Sequence, residues 1–180
     1  MQKLLIVCGQ EGVGKSTLIK SLVKHLHHGA VIDTEDLLQV NPWKRDDEFE
    51  SLAFDNAASM VNNFFKYNYE QVVAGSVVRN RRELDLLKTK LASQPETYIL
   101  NLVVSQDILD RRRKQREREP FTEEFIDWLK TSAPQDSTLR EANDGSYAYI
   151  EINNGELSVE ETIKRLKDGI PRFFAQVSKA

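Results

Sequence analysis

The chain has 180 residues, of which 40% are hydrophobic and 29% are charged, and this balance predicts one globular domain over residues 1–180. The formal net charge of −3 argues against nucleic-acid binding by bulk charge, and no run of about 18 apolar residues predicts a membrane span. The single cysteine, Cys8, excludes an internal disulfide, and the early start of the first predicted strand leaves no room for a signal peptide, so we expect a cytoplasmic protein.

The strongest signal in the sequence follows the first predicted strand, residues 3–8. Residues 9–16 read GQEGVGKS, which has the G-x-x-x-x-G-K-S spacing of a phosphate-binding loop. Glycines let successive backbone N–H groups point at phosphate oxygens, and a helix predicted over 17–27 adds the positive end of its dipole. We expect Lys15 to reach the β- and γ-phosphates and Ser16 to bind Mg²⁺. The predicted nucleotide-binding residues of this segment are Gly9, Glu11, Gly12, Val13, Gly14, Lys15, Ser16 and Thr17.

An acidic cluster follows the second predicted strand, residues 30–32. It contains Asp33, Glu35 and Asp36. In open parallel sheets, ligands bind outside the carboxyl ends of the strands, which is also the edge where the phosphate-binding loop lies. At least one of these carboxylates is therefore expected to face the γ-phosphate and Mg²⁺, while another caps the helical turn that follows. A longer helix is predicted from about residue 46 to residue 67.

The third predicted strand, residues 71–78, contains Gly75 and leads into Arg79 and Asn80. A glycine inside a strand indicates a close approach of the backbone or the effective end of the strand. An arginine beside a strand end, opposite a phosphate site, can hold an anionic substrate. The alternative is the solvated start of the helix predicted up to residue 93. We assign Asp36, Gly75, Arg79 and Asn80 to acceptor binding.

A basic segment follows the fourth predicted strand, residues 98–104. Six of the eight residues in 111–118 are basic, although the chain as a whole is acidic. The segment is either a solvated helix, a nucleic-acid contact, or a lid over residues 111–134 that folds arginines over a nucleotide and excludes water. The phosphate-binding loop favours the lid.

The last predicted strand, residues 147–152, is followed by the turn Asn153, Asn154 and Gly155. Ser158 and Glu161 then have the spacing of a capping box that starts the last helix. Strands alternate with helices along the whole chain. This alternation predicts an α/β fold in which a parallel sheet is covered by helices on both faces.

The pattern as a whole resembles the small P-loop kinases. These are the nucleoside-monophosphate, shikimate and gluconate kinases and, most of all, the chloramphenicol phosphotransferase-like ATP-binding proteins. The resemblance is carried by residues 9–17, 33–36, 75–79, 111–118 and 149–161. It implies a three-layer P-loop NTPase fold, a five-stranded parallel sheet in the order 2-3-1-4-5, an Arg-rich lid, and ATP with Mg²⁺ as the phosphoryl donor.

The resemblance also implies a catalytic base. In such kinases an acid after strand two accepts the proton of the acceptor hydroxyl. Asp36 fits this position best, with Asp33 and Glu35 as alternatives. Many P-loop kinases have an aspartate at the end of strand three, where this chain has Ala74 before Gly75. The Mg²⁺ role of that aspartate would then belong to Asp33 or Glu35, or be missing.

The lid and the last loop complete the predicted site. The resemblance places residues 153 and 154 on the adenine side of the nucleotide and the lid arginines over the transferred phosphate. Arg113 and Arg116 are assigned to catalysis, and Arg112, Arg118, Asn153 and Asn154 are assigned to nucleotide binding.

Three functions are consistent with this sequence. The first is a kinase that moves the γ-phosphate of Mg-ATP to a small-molecule acceptor, at a hydroxyl group. The second is a nucleotide or polynucleotide kinase in which the basic segment contacts nucleic acid. The third is an ATP-binding switch or ATPase, although no Asn-Lys-x-Asp sequence and no strand ending in Asp-Glu is present. The identity of the acceptor, and whether the protein is a monomer or a homodimer, stay open.

Overall fold

The structure is a computed structural model that describes residues 1–41, 44, 46–115, 138–141 and 144–176. The strands within these ranges are β1 Lys3–Gly9, β2 Gly29–Asp33, β3 Gln71–Gly75, β4 Glu96–Val103 and β5 Ala148–Asn153. The α-helices are α1 Lys15–Leu22, α2 Asp47–Lys66, α3 Arg81–Lys90, α4 Gln106–Gln115, α5 Thr138–Glu141, α6 Val159–Gly169 and α7 Pro171–Phe174. Short 3₁₀ turns cover Val23–His25 and Thr34–Leu37.

The five strands form one parallel sheet in the order β2-β3-β1-β4-β5, which confirms the predicted fold class and strand order. β1 lies in the centre, where it pairs with β3 and β4, and its residues from Lys3 to Cys8 are buried. The register aligns Val7 of β1 and Asp33 of β2 with Gly75 of β3. The carboxyl ends of β1, β2 and β3 therefore reach the same edge of the sheet.

Successive residues of β1 point to opposite faces of the sheet, as its extended backbone requires. Leu4 and Ile6 pack in a core with α2 and α3, and Leu5 and Val7 pack in a second core with α1, α6 and α7. Two cores on one central sheet give the predicted three layers. Within the described ranges, no helix combines the length and the apolar character that a bilayer span would need.

α1 and β3 end earlier than predicted, and α3 also ends early, at Lys90 instead of residue 93. α1 stops at Leu22 and is followed by a 3₁₀ turn. Leu26, after this turn, has an extended backbone, and the chain returns into β2 at Gly29. A side chain at Gly29 would overlap Leu26, so this tight return needs glycine. β3 ends at Gly75 instead of residue 78, because Ser76 has a left-handed φ of 66° and cannot continue the strand. The N–H of Ser76 donates to the carbonyl of Val7 in β1.

A histidine lies where the end of α1 meets α6. His25 Nδ1 lies 3.1 Å from Lys167 Nζ, and His25 Nε2 is buried with no hydrogen-bond partner in the described part of the chain. Burial is the main cause of a lowered pKa for His25; Lys167 and Lys24 lower it further, and Glu160 opposes them. The imidazole is therefore held in its neutral form in the folded protein.

This contact predicts a loss of stability in acid. The pKa of His25 lies below 6.5 in the folded protein, so the unfolded chain binds the proton more readily. The free energy of unfolding therefore has its full contribution from neutral His25 above pH 6.5 and loses it as the pH falls through the folded-state pKa of His25. In urea unfolding between about pH 7.5 and about pH 5.5, His25→Asn should flatten the dependence of the unfolding free energy on pH. The control variant His27→Gln should retain the wild-type dependence of the unfolding free energy on pH. If His25→Asn loses as much unfolding free energy in acid as the wild type does, His25 is not the cause.

Candidate functional site

The loop between β1 and α1 has a backbone that few residues other than glycine can adopt. Gly9, Gly12 and Gly14 have φ values of 138°, 93° and 106°. A side chain at Gly9 would also come within 2.7 Å of the Leu102 carbonyl oxygen of β4. Gly14 is the N-cap residue of α1, and no side-chain hydrogen bond caps this helix within the described residues. The loop thus joins a glycine-rich turn to an uncapped helix N-terminus, the combination that binds anions in other proteins.

Lys15 is buried at the start of α1 and lies over the loop. Its Nζ donates hydrogen bonds to the carbonyl oxygens of Gly9, at 3.0 Å, and Gln10, at 3.2 Å. Ser16 is half-buried and Thr17 is exposed. The structure therefore directs the cation of the predicted motif at the loop, and Ser16 follows it in the first turn of α1.

Two arginines of α4 contact the same loop. The guanidinium of Arg112 donates to the carbonyl of Val13 at 2.9 Å and to those of Asn154 and Gly155, both at 3.2 Å. The Nε of Arg113 donates to the carbonyl of Glu11 at 3.0 Å. Arg111, by contrast, is exposed.

The start of the basic segment therefore packs on the loop instead of forming a freely solvated helix. The remainder of the predicted lid lies outside the described residues. This remainder includes Arg116 and Arg118.

The turn after β5 contacts the same part of the loop as Arg112. Asn154 is 8% exposed, and its Nδ2 donates to the Val13 carbonyl at 3.0 Å. Its Oδ1 is buried and has no hydrogen-bond partner among the residues that the structure describes. The side chain of Asn153 instead accepts a bond from the N–H of Gly155 within the turn. Of the two predicted asparagines, only Asn154 is thus shown in contact with the loop through its side chain.

The three carboxylates after β2 have different surroundings. Asp33 is 8% exposed at the strand end, where its side chain accepts a bond from the N–H of Glu35. Glu35 accepts a bond from the Ser76 hydroxyl at 3.4 Å, directly after β3. The side chain of Asp36 is 62% exposed and forms an ion pair with Lys20 at 3.4 Å. Asp33 and Glu35 therefore lie along the strand-end edge, whereas Asp36 lies on the surface beside α1.

Arg79 is held by carboxylates of the protein itself. Its Nε donates to Glu83 at 2.9 Å, its backbone N–H donates to the same carboxylate at 2.6 Å, and its guanidinium contacts Glu50 at 2.8 Å. Burial would lower the pKa of Arg79, but the bonds to Glu83 and Glu50 outweigh burial and raise it. Asn80 acts as the N-cap of α3, since its side chain accepts a bond from the N–H of Glu83 at 2.9 Å.

Neither partner of Arg79 was predicted from the sequence. Asn80 and Glu83 have the N-x-x-E spacing of a helix start, which could have pointed to Glu83. Nothing in the sequence pointed to Glu50, which belongs to α2.

The edge has oxygen donors suited to a magnesium ion bound with a nucleotide. No group of three or more His, Cys, Asp or Glu side chains in the described ranges could hold a metal by itself. Mg²⁺ does not need such a group, because it keeps several waters and is held by one or two protein oxygens together with phosphates. The Ser16 hydroxyl, in the first turn of α1, fits that requirement, and Asp33 or Glu35 is the carboxylate that would complete it.

Comparisons with solved structures find this fold in several kinases. A sugar kinase from Janibacter sp. HTCC2649 is 16% identical, with 98% of this chain and 100% of that chain covered and a TM-score of 0.68. A gluconokinase from Sinorhizobium meliloti 1021 is 14% identical over 94% of this chain and 92% of that chain, with a TM-score of 0.66. A shikimate kinase from Bacteroides thetaiotaomicron is 19% identical over 92% of this chain and 96% of that chain, with a TM-score of 0.58. No protein-family model matches the chain, and no curated protein matches it. The chain has the fold of the small P-loop kinases.

Proposed function

We propose that the protein is a kinase that transfers the γ-phosphate of Mg-ATP to a hydroxyl group of a small molecule. The observation that carries the proposal is the loop from Gly9 to Gly14, whose positive-φ glycines lie beside Lys15 and under the guanidinium of Arg112. The named kinases with the same fold, which act on sugar, gluconate and shikimate, support this reaction class.

Each residue of the edge has a role in the proposed reaction. The N–H groups of the loop and of the first turn of α1 hold the phosphate oxygens, and Lys15 neutralises their charge. Ser16 would hold Mg²⁺ together with the phosphate oxygens, and the ion would offset the charge that develops on the transferred group. Arg112 and Arg113 keep the loop in shape through the carbonyls of Val13 and Glu11. The contribution of these residues is positioning and charge stabilisation, which dominate phosphoryl transfer.

The acceptor proton goes to a carboxylate at the end of β2, and we assign this role to Asp33. Asp33 is buried at the end of β2, on the sheet edge from which the loop also starts, and parallel sheets bind their ligands at this edge. Glu35, beside Ser76, is the second candidate. From the sequence, Asp36 was predicted to be the base. Because Asp36 is exposed and forms an ion pair with Lys20, we assign that role to the buried Asp33 instead.

The nucleic-acid alternative has less support. The guanidinium groups of Arg112 and Arg113 are directed to loop carbonyls and not to open solvent. A duplex contact would instead need these cations on an exposed surface, where they could neutralise phosphates. Arg112 and Arg113 therefore support a nucleotide-binding role for the basic segment, although its other described cations, Arg111 and Lys114, are exposed.

Lys15→Ala tests the donor site. The variant removes a charge-assisted contact, so Mg-ATP binding measured by calorimetry should weaken by about tenfold or more. ATP-dependent phosphorylation should be lost. The circular dichroism spectrum should stay that of the wild type. Unchanged Mg-ATP affinity in the variant, or no binding by the wild type, would contradict the proposal.

Arg112→Gln tests whether the basic segment supports the nucleotide site. Loss of the guanidinium frees the carbonyls of Val13, Asn154 and Gly155, so the loop should hold its shape less well. We expect Mg-ATP affinity to fall by about tenfold. Arg111→Gln is the matched control, because Arg111 is adjacent, carries the same charge and is exposed. Equal losses in the two variants would show that only the net charge of α4 matters.

Asp33→Asn and Asp36→Asn separate the two aspartates. Loss of a general base lowers turnover by about 10²–10⁴-fold, and we expect this for Asp33→Asn in acceptor-dependent ADP release. Asp36→Asn should stay within about threefold of the wild type, because it removes only an exposed ion pair. The opposite order of effects would assign the base to Asp36.

A further inference from the structure

The connection between β3 and α3 has two features that bind anions in proteins. One is the guanidinium of Arg79, which lies in the connection that begins after Gly75. The other is the N-terminus of α3, a helix of ten residues whose first N–H groups point toward the connection. Both features lie at the strand-end edge where the proposed acceptor would bind, since Gly75 is aligned with Asp33 and Val7.

Side chains of the protein already occupy both features: Glu83 pairs with the guanidinium, while Asn80 and the Thr138 hydroxyl accept bonds from the first N–H groups of α3. The carboxylate of Glu83 accepts hydrogen bonds from the Nε of Arg79 at 2.9 Å and from its backbone N–H at 2.6 Å. The N–H of Glu83 in turn donates to the Asn80 side chain at 2.9 Å, which completes the cap of α3. Glu50 of α2 takes a further donor of the guanidinium at 2.8 Å. The protein thus holds an internal anion where an acidic acceptor would otherwise be held.

An incoming anion would compete poorly with Glu83. The residue is 7% exposed, and a buried carboxylate that loses its counterion is strongly destabilised. The anion would also approach Glu50 of α2 and the carboxylates at the end of β2, Asp33 and Glu35. Arg79 would therefore gain little by exchanging Glu83 for a bound carboxylate or phosphate.

We infer that the phosphoryl acceptor is bound at this connection as an uncharged hydroxyl compound, such as a sugar, polyol or nucleoside, and not as an acid or a phosphate ester. The inference rests on the proposed kinase function, which supplies the reason for an acceptor at this edge. Glu50 and Glu83 are then positioning residues that keep Arg79 neutralised, so that its guanidinium does not select an acidic acceptor.

Titration with inorganic sulfate tests the anion site without knowledge of the acceptor. Each protein is first saturated with Mg²⁺ and a non-hydrolysable ATP analogue, so that the loop from Gly9 to Ser16 is filled. If the wild type does not bind the ATP analogue, the proposed kinase function is contradicted, and the sulfate titration is then not a test of the acceptor. Sulfate affinity is then measured by calorimetry for the wild type and for Arg79→Gln.

The expected affinities for sulfate agree within about twofold between the wild type and Arg79→Gln, because Glu83 occupies the guanidinium. Glu83→Gln should gain about tenfold in sulfate affinity, and adding Arg79→Gln should remove the gain. If Glu83→Gln does not fold, Glu50→Gln replaces it. Glu50→Gln should raise the affinity for sulfate by less than about tenfold, and adding Arg79→Gln should again remove the increase. A wild-type affinity that falls about tenfold in Arg79→Gln would overturn the inference, as would no gain in a folded Glu83→Gln.

A panel of matched acceptors tests the substrate class directly. Acceptor-dependent ADP release is measured with glucose against gluconate and with nucleosides against their 5′-monophosphates. Turnover of a neutral member at least about tenfold faster than of its acid or phosphate supports the inference. Faster turnover of the charged member, with a KM that rises in Arg79→Gln, overturns it.

Discussion

The carbonyl oxygen of Val13 joins three parts of the chain that are far apart in the sequence. It lies in the loop after β1, and it accepts one bond from Arg112 of α4, at 2.9 Å, and one from Asn154 after β5, at 3.0 Å. The loop needs this support because its glycines have little conformational preference of their own. The nucleotide site that we propose therefore depends on contacts between the first, fourth and fifth strand ends, and the parallel sheet brings these ends to one edge.

The cations at this edge form two groups, which differ in whether their partners are neutral carbonyls or carboxylates. Near the loop, Lys15, Arg112 and Arg113 direct cations at backbone carbonyls, which leaves their charge available to phosphate oxygens. Near the ends of β2 and β3, the cation Arg79 is neutralised by Glu83 and by a second carboxylate. The first group suits a phosphorylated donor and the second suits an uncharged acceptor. An enzyme that transfers a phosphate benefits from this separation, because the acceptor hydroxyl must approach without bringing further negative charge.

The parts that the sequence predicted well depend on local spacing. The loop motif spans eight residues, and the alternation of apolar strands with helices is visible along the chain, so the fold class was predicted correctly. The strand order, also correct, came from the resemblance to the small P-loop kinases and not from spacing. The partners of Arg79 were not predicted, because Glu50 is 29 residues away and meets the guanidinium only when α2 packs beside β3. Spacing also could not separate Asp33 from Asp36, because a 3₁₀ turn rotates neighbouring side chains between the interior and the surface.

The central claim is that a magnesium-bound nucleoside triphosphate binds at the loop between β1 and α1. Backbone amide NMR during a titration with Mg-ATP tests this most directly. The account predicts the largest shifts at Gly12, Gly14 and Lys15, with smaller shifts at Asn154, because these groups surround the loop. Saturating Mg-ATP that leaves these amides unchanged, or that shifts mainly residues at the opposite edge of the sheet, would contradict the account.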